Sequence, residues 1–440
     1  MFFATLIASL SVASVAVAAP GHDHVEARQL PDTWYQPATP RLDAVYRRAD
    51  SSSSNTFAAV GSAAWSSGFP VPGDKLNGDD VPQAWKDALA AAIAAGKIPD
   101  IPVATATGGN PTYGGQDPGK LPICSGTYGC RLPESIWDAP NNTIGISFDD
   151  GPLAGSSDTL YSFLKNNSIP ATHFFIGINI LQNAKEFTTA YETLQGDIAV
   201  HTWTHPYMTT QSNELVLAEL GWTAQLIYNS TGGRIPRFWR PPYGDTDARV
   251  SAIAREVFGM TTIQWNHDTA DWTLTTGDGY TTPAKIHSQF QSWLTGARSP
   301  GLIVLEHELS QQSVQAFIDA YPLIVQNNWN IVSVVDIDGN GTYQNAINST
   351  SAILGNSNIT SGKNLGSAYA LASSMAAASA SPSATAGSQQ ASPSASSAGS
   401  SSSPGAGSNV SHSGAAALTG APFASLSALV FGALLGALLL

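Results

Sequence analysis

Downstream of about Thr143 the chain falls into a repeating pattern. Short runs of β-branched and aromatic residues alternate with longer segments whose apolar residues recur three and four apart. The runs predict strands over 144–148, 172–176, 198–201, 237–240, 260–265, 302–305 and 331–335. The segments between them predict helices over 158–166, 184–194, 213–228, 247–258, 283–294 and 313–325. The helix from 213 would place Val216, Leu220 and Ile227 on one face, the pattern of an amphipathic helix. Seven strands alternating with helices over about 200 residues predict an α/β fold with a parallel sheet, either a barrel or a doubly wound sheet.

The flanks have a different texture. Residues 19–120 are rich in Pro, Gly, Ser and Ala and read as an irregular accessory or pro-segment, with one helix expected over 82–95 and Asp80 as its cap. Residues 1–18 are uncharged and end in Ala16-Val17-Ala18, the small-residue pattern of a secretory signal cut after Ala18. At the other end, residues 346–414 are expected to be a disordered Ser/Ala/Gly/Pro-rich stalk, too poor in large apolar residues to build a core. Residues 415–440 end in an apolar tail with no basic stop. Together with small residues at Ser413 and Gly414 they fit a glycosylphosphatidylinositol (GPI) signal removed on maturation. The rival reading is a tail-anchored transmembrane helix. The folded catalytic unit is thus expected over 121–345.

Composition agrees with a secretory route. Glycosylation sequons fall at Asn141, Asn166, Asn229, Asn340, Asn348, Asn358 and Asn409. Cys124 and Cys130 are the only two cysteines, and in an oxidising compartment they read as a disulfide closing a small loop. The formal charge is −13, and the one basic pair is Arg47-Arg48, which argues against a nucleic-acid partner.

The chemistry gathers where a parallel sheet would place it, at the carboxyl ends of strands. Asp149 and Asp150 follow the first predicted strand and His201 ends the third, with His205 four residues on. Arg240 ends the fourth, Asp268 and Asp271 follow the fifth, and His307 follows the sixth. One Asp and two His make a three-ligand set with an open metal position, leaving the neighbouring Asp as a base. Arg240, in a rigid Arg-Pro-Pro-Tyr-Gly turn, could clamp that base in its ionised form. Asp271 beside His307 suggests a carboxylate–imidazole pair that keeps the His protonated and competent as an acid. A non-haem iron oxygenase also uses two His and a carboxylate but has no need of Arg240, Asp271 and His307. The absence of a Gly-x-Ser-x-Gly elbow disfavours a serine hydrolase.

Ser-Phe-Asp-Asp-Gly, His-x-x-x-His, Arg-Pro-Pro-Tyr, Asp-x-x-Asp-Trp and Leu-x-His, in this order, resemble the polysaccharide deacetylase family. This is carbohydrate esterase family 4, with the NodB homology domain, and the resemblance covers roughly residues 140–340. It implies a distorted (β/α) barrel with about seven parallel strands. Asp149 would be the general base paired with Arg240, and His307 the general acid paired with Asp271. Asp150, His201 and His205 would hold one divalent metal, zinc first and cobalt second. The backbone N–H of Tyr243 would stabilise the oxyanion, and Tyr243, Trp272 and Leu305 would line the acetyl pocket.

Within the family the secreted, lipid-anchored architecture is similar to that of fungal chitin deacetylases. The resulting expectation is a monomeric, GPI-anchored surface enzyme that removes N-acetyl groups from chitin or chitin oligomers at the fungal cell wall. An O-acetyl xylan esterase on the same fold and a non-catalytic chitin-binding wall protein are the alternatives.

Overall fold

The computed structural model describes residues 57–353, apart from Asp278 and Asn340. The signal, the Arg47-Arg48 pair, most of the stalk, the lipid-anchor signal with Ser413 and Gly414, and the sequons at Asn340, Asn358 and Asn409 lie outside the described residues.

The sheet contains β1 (Thr143–Asp149), β2 (Thr172–Phe175), β3 (Asp197–Val200), β4 (Phe238–Trp239), β5 (Thr261–Thr262), β6 (His267–Asp268), β7 (Leu302–Leu305) and β8 (Asn330–Ser333). Seven strands follow one path, β5-β4-β3-β2-β1-β7-β6, and β8 pairs with β1 off that path. Every strand pair is parallel. β1 is the hub: Ser147–Asp149 register with β2, Thr143–Ile146 with β8, and Ile144–Gly145 with β7. The result is an α/β fold whose curled sheet is an incomplete, distorted (β/α) barrel, open between β5 and β6.

Strand alternation sorts the side chains into two cores. Ile144, Ile146 and Phe148 of β1 face outward into the large cluster under the helices, with Val200 and Trp239. Phe174, Ala199, Phe238 and Ile303 instead form a smaller core inside the curl. Counting on by twos from these inward positions reaches His201, Arg240, Leu305 and His307, and on β1 the same parity includes Ser147 and Asp149. The period of two therefore aims the polar residues at one interior.

Besides a single turn at Ala63–Ser66, the α-helices among the described residues are α1 (Gln83–Ala94), α2 (Ser156–Asn167), α3 (Gly177–Gln182), α4 (Ala184–Thr188), α5 (Asn213–Ser230), α6 (Ala248–Phe258), α7 (Pro283–Thr295) and α8 (Gln311–Gln326). Capping explains the sharp starts. Ser212, Asp247, Thr282 and Ser310 each accept a backbone N–H of the first turn, and α6 ends at Gly259 with φ of 67°.

The structure corrects several expectations. Of the strand predicted over 260–265 only Thr261–Thr262 is strand; Ile263 keeps its bond to the Trp239 carbonyl but bridges to Ile136 on its other side, and β6 starts beyond the prediction at His267. The helix predicted over 184–194 is α4 running into a π-helical turn at Thr189–Thr193. Asp80 does not cap α1; its cap position is Pro82, without a side-chain bond. Most of all, α5 is not amphipathic in the folded chain: every residue from Val216 to Ser230 is buried. Its outer face is covered by the upstream segment, whose Trp65, Phe69 and Trp85 join the large core. The expected boundary at residue 120 therefore has no counterpart in the packing. Likewise, residues 346–351 still bond to the domain, with Arg234 Nη2 donating to the Ser351 carbonyl at 2.6 Å and Ser349 Oγ to that of Gln195 at 3.0 Å. The stalk boundary expected at 346 falls inside the packed structure.

Candidate active site

β1 ends in a turn that separates the two adjacent carboxylates. Asp150 has φ of 72°, left-handed for a residue with a Cβ, so its side chain leaves the strand direction that Asp149 keeps. The turn is pinned on several sides. Asp149 N–H donates to the Glu306 carbonyl at 3.0 Å, Glu308 N–H to that of Asp149 at 3.1 Å, and Asn179 Nδ2 to that of Asp150 at 2.7 Å.

Asp149 is 1% exposed and Arg240 is fully buried. Arg240 Nη1 donates to Asp149 Oδ1 at 2.7 Å and to Ser147 Oγ at 3.0 Å. Its guanidinium carbon lies 4.2 Å from the centre of the Phe174 ring. With Oδ1 so engaged, Asp149 turns Oδ2 towards the site, 3.8 Å from His201 Nε2.

Asp150 Oδ1 lies 3.2 Å from both His201 Nε2 and His205 Nε2. One ligand atom from each of the three residues falls within 4.8 Å of the others, the metal-ligand grouping found among the described residues. The chemistry of the donors fits a cation. His201 Nδ1 faces the Arg240 carbonyl at 2.7 Å, a contact only an N–H can satisfy, so Nε2 of the neutral ring carries the lone pair. Asp150 Oδ1 is buried and accepts no hydrogen bond. Lone pairs on Nε2 and Oδ1 facing each other need a positive charge between them. His205 Nδ1 meets the Tyr243 hydroxyl at 3.1 Å, which orients the second imidazole.

On the far side, Asp271 grips His307 twice. Its Oδ1 meets His307 Nδ1 at 2.6 Å and its Oδ2 accepts the His307 backbone N–H at 2.9 Å. Burial disfavours the imidazolium, yet Asp271, with Asp150 and Asp149 beyond it, pushes the His307 pKa up to about 10. Nε2 is left facing the site, 4.0 Å from Asp150 Oδ2. Tyr243 sits in the short turn Pro242–Gly244 with φ of 59°, and its exposed ring stacks on Tyr207 at 4.3 Å. Leu305 is buried two residues before His307, whereas Trp272 beside Asp271 is 40% exposed.

The structure contains the Cys124–Cys130 disulfide, and its loop docks behind the Tyr243 turn. Gly126 N–H donates to the Thr246 carbonyl at 2.8 Å, and a Cβ on Gly126 would stand 2.6 Å from the Gly244 carbonyl oxygen. Of the sequons in the described region, Asn141, Asn166 and Asn348 are exposed. Asn229 is 3% exposed inside α5 and its Oδ1 accepts from Gln225 at 2.9 Å, which leaves no room for a glycan and corrects that expectation. Ser147, Tyr207 and Glu219 were not singled out from the sequence. Ser147 could have been found by counting back two residues from Asp149 along β1.

A buried carboxylate–guanidinium pair and a buried carboxylate–imidazole pair stand either side of a three-ligand pocket that could hold a metal, the arrangement of a hydrolase. The family model described as polysaccharide deacetylase matches residues 138–263. Chitin deacetylase 3 of Cryptococcus neoformans var. neoformans is 40% identical over 75% of this chain and 76% of its own length. Chitin deacetylase 2 of Saccharomyces cerevisiae is 37% identical over 41% of this chain and 55% of its own. The solved chitin deacetylase of Colletotrichum lindemuthianum is 22% identical, with a TM-score of 0.41, over 46% of this chain and 90% of that one. This chain belongs to the polysaccharide deacetylase family.

Proposed function

We propose that this enzyme hydrolyses the N-acetyl groups of N-acetylglucosamine residues in chitin, releasing acetate and leaving chitosan. The observation that carries the reading is the opposed pair of buried dyads, Asp149–Arg240 and Asp271–His307, whose free atoms both face the Asp150–His201–His205 pocket. The names of the similar fungal proteins support the polymer.

A divalent metal held by Asp150, His201 and His205, with zinc the first choice, would supply Lewis-acid polarisation of the acetyl carbonyl and acidify the attacking water. Asp149 Oδ2 takes the proton of that water as its oxygen adds to the carbonyl carbon. Arg240 keeps Oδ1 occupied, so the base offers one oxygen only. The Tyr243 backbone N–H would donate to the oxygen on which charge develops. His307 Nε2 then gives its proton to the amide nitrogen as the C–N bond breaks, and Asp271 holds the imidazole in the orientation this needs. Water and amide become acetate and free amine. Leu305, Trp272 and Tyr243 border the space for the acetyl methyl group.

The sequence supports secretion and a lipid anchor at Ser413 or Gly414, which would hold the enzyme, taken as a monomer, at the plasma membrane and wall. Acetate release from chitin oligomers and from acetylated xylan tests the substrate. Metal-dependent release from chitin oligomers, abolished by Asp149→Asn, is the expected result. Release from xylan alone would move the activity to an esterase, and release from neither would leave a binding protein.

A further inference from the structure

The loop joining the two ligand imidazoles is held in an uphill backbone shape. Thr202 has φ of 66° and His205 has φ of 62°, both left-handed without being glycine. On one side, the N–H groups of Gly177 and Ile178 donate to the carbonyls of Thr202 and Trp203 at 2.9 and 3.2 Å. Within the loop Thr202 Oγ1 accepts the His205 N–H at 3.1 Å, and on the other side one side chain from outside the loop does the holding. Glu219, in the middle of α5 and 3% exposed, accepts the N–H groups of Trp203 and Thr204 on Oε2, each at 2.8 Å. Its Oε1 accepts the Thr204 hydroxyl at 2.5 Å.

All three donors lie between His201 and His205. No cation pairs with Glu219 among the described residues; donors from the loop alone meet its carboxylate. Burial pushes its carboxyl up, and those same donors pull against the rise. A glutamate whose only task was to fasten α5 to the sheet could bond any neighbour. This one bonds only Trp203 and Thr204, between the left-handed residues Thr202 and His205 that aim the second imidazole.

We propose that Glu219 is a positioning residue for metal binding: it fixes the His201–His205 loop so that both Nε2 atoms face Asp150 before any metal arrives. The proposal rests on reading Asp150, His201 and His205 as the ligand set. It acts through the loop's shape, so an uncharged acceptor of the same length should serve nearly as well.

The test is zinc affinity of the full chain by competition with a chromogenic chelator, with the melting temperature of the metal-free protein recorded beside it. Glu219→Leu should weaken zinc binding about 10- to 100-fold, the usual range for a group that supports a ligand. Glu219→Gln keeps a carbonyl oxygen for both N–H groups and should stay within about three-fold of wild type. Thr204→Val loses only the hydroxyl donor and should weaken binding about five- to ten-fold, with a metal-free melting temperature lowered by about a few degrees at most.

Wild-type affinity in both Glu219→Leu and Thr204→Val overturns the proposal, as does a Gln variant as weak as the Leu variant. Where Glu219→Leu does not fold, Thr204→Val decides alone. A wild-type chain that takes up no zinc fails the ligand set itself, and the proposal with it. A wild-type chain that binds zinc while the variants match it fails the proposal alone.

Discussion

Arg240 and Asp149 form an ion pair at 2.7 Å in which neither member reaches solvent. Water cannot screen the pair or compete for it, so its geometry is as fixed as the barrel interior that surrounds it. Ser147 accepts from the same guanidinium nitrogen, which ties the clamp back to the strand carrying the base.

Replacing the clamp should separate fold from chemistry. Arg240→Lys keeps the charge but not the planar fork, and should lower acetate release about 100-fold in a protein that still folds. Arg240→Met leaves Asp149 as a buried unpaired charge and should cost about 3–5 kcal/mol in denaturant unfolding. Equal stability of the Met variant and wild type would show that Asp149 is not held as described.

The acid dyad predicts a pH shift with a definite sign. The His307 pKa is raised to about 10, chiefly by Asp271 acting against burial. A group that must donate a proton is lost as pH rises through its pKa, so the raised value extends activity to alkaline pH. Asp271→Asn removes the raising charge and should move the alkaline limb of kcat down by about one unit or more. The acid limb should stay in place. An unmoved alkaline limb would remove His307 from the acid role.

Chelation should abolish acetate release and re-addition of zinc should restore it. Zinc in 100-fold excess over its Kd should also stabilise the fold by about 2.7 kcal/mol, because the ligands come together only in the native state. His205→Gln should lose both effects. A melting temperature that ignores zinc would argue that Asp150, His201 and His205 do not bind it.

The cover over α5 can be tested by pairing substitutions. Trp85 is fully buried, and a Cβ on Gly221 would stand 2.3 Å from its ring. Trp85→Ala should cost about 3–5 kcal/mol. Gly221→Ala should cost about 1–3 kcal/mol in overpacking. Joined to Trp85→Leu, Gly221→Ala should cost much less than it does alone, and strict additivity would show that the two do not meet.

The polar residues at the strand ends were legible because alternation and the end-of-strand rule need only local spacing. Asp149, His201, Arg240 and His307 lie inward on four different strands or their extensions, and each run announced itself by β-branched or aromatic residues. What the sequence hid depended on contacts far along the chain. Met260 to Trp265 looks like one strand, and nothing local says that the strand proper stops at Thr262 and that Ile263 will bridge to Ile136. Asn229 reads as a surface sequon until the upstream segment is packed over α5. Glu219 looks like a solvated helix position, although a lone acid between Leu217 and Leu220, in a run of apolar residues, was a signal of burial with a partner. The Gly221–Trp85 contact left no trace that either residue alone could show.

The full burial of α5 has a consequence over evolutionary time. A surface helix can drift at its outer positions, but here the outer positions answer to Trp65, Phe69 and Trp85 in a segment upstream of the stretch that the family model matches. Lineages that shed or replace that segment must make the outer face of α5 polar in step, or aggregate. The helix that carries Glu219 is thus under two selections at once, one from the metal loop beneath it and one from the segment above. Substitutions at Gly221 should be inherited together with changes at Trp85.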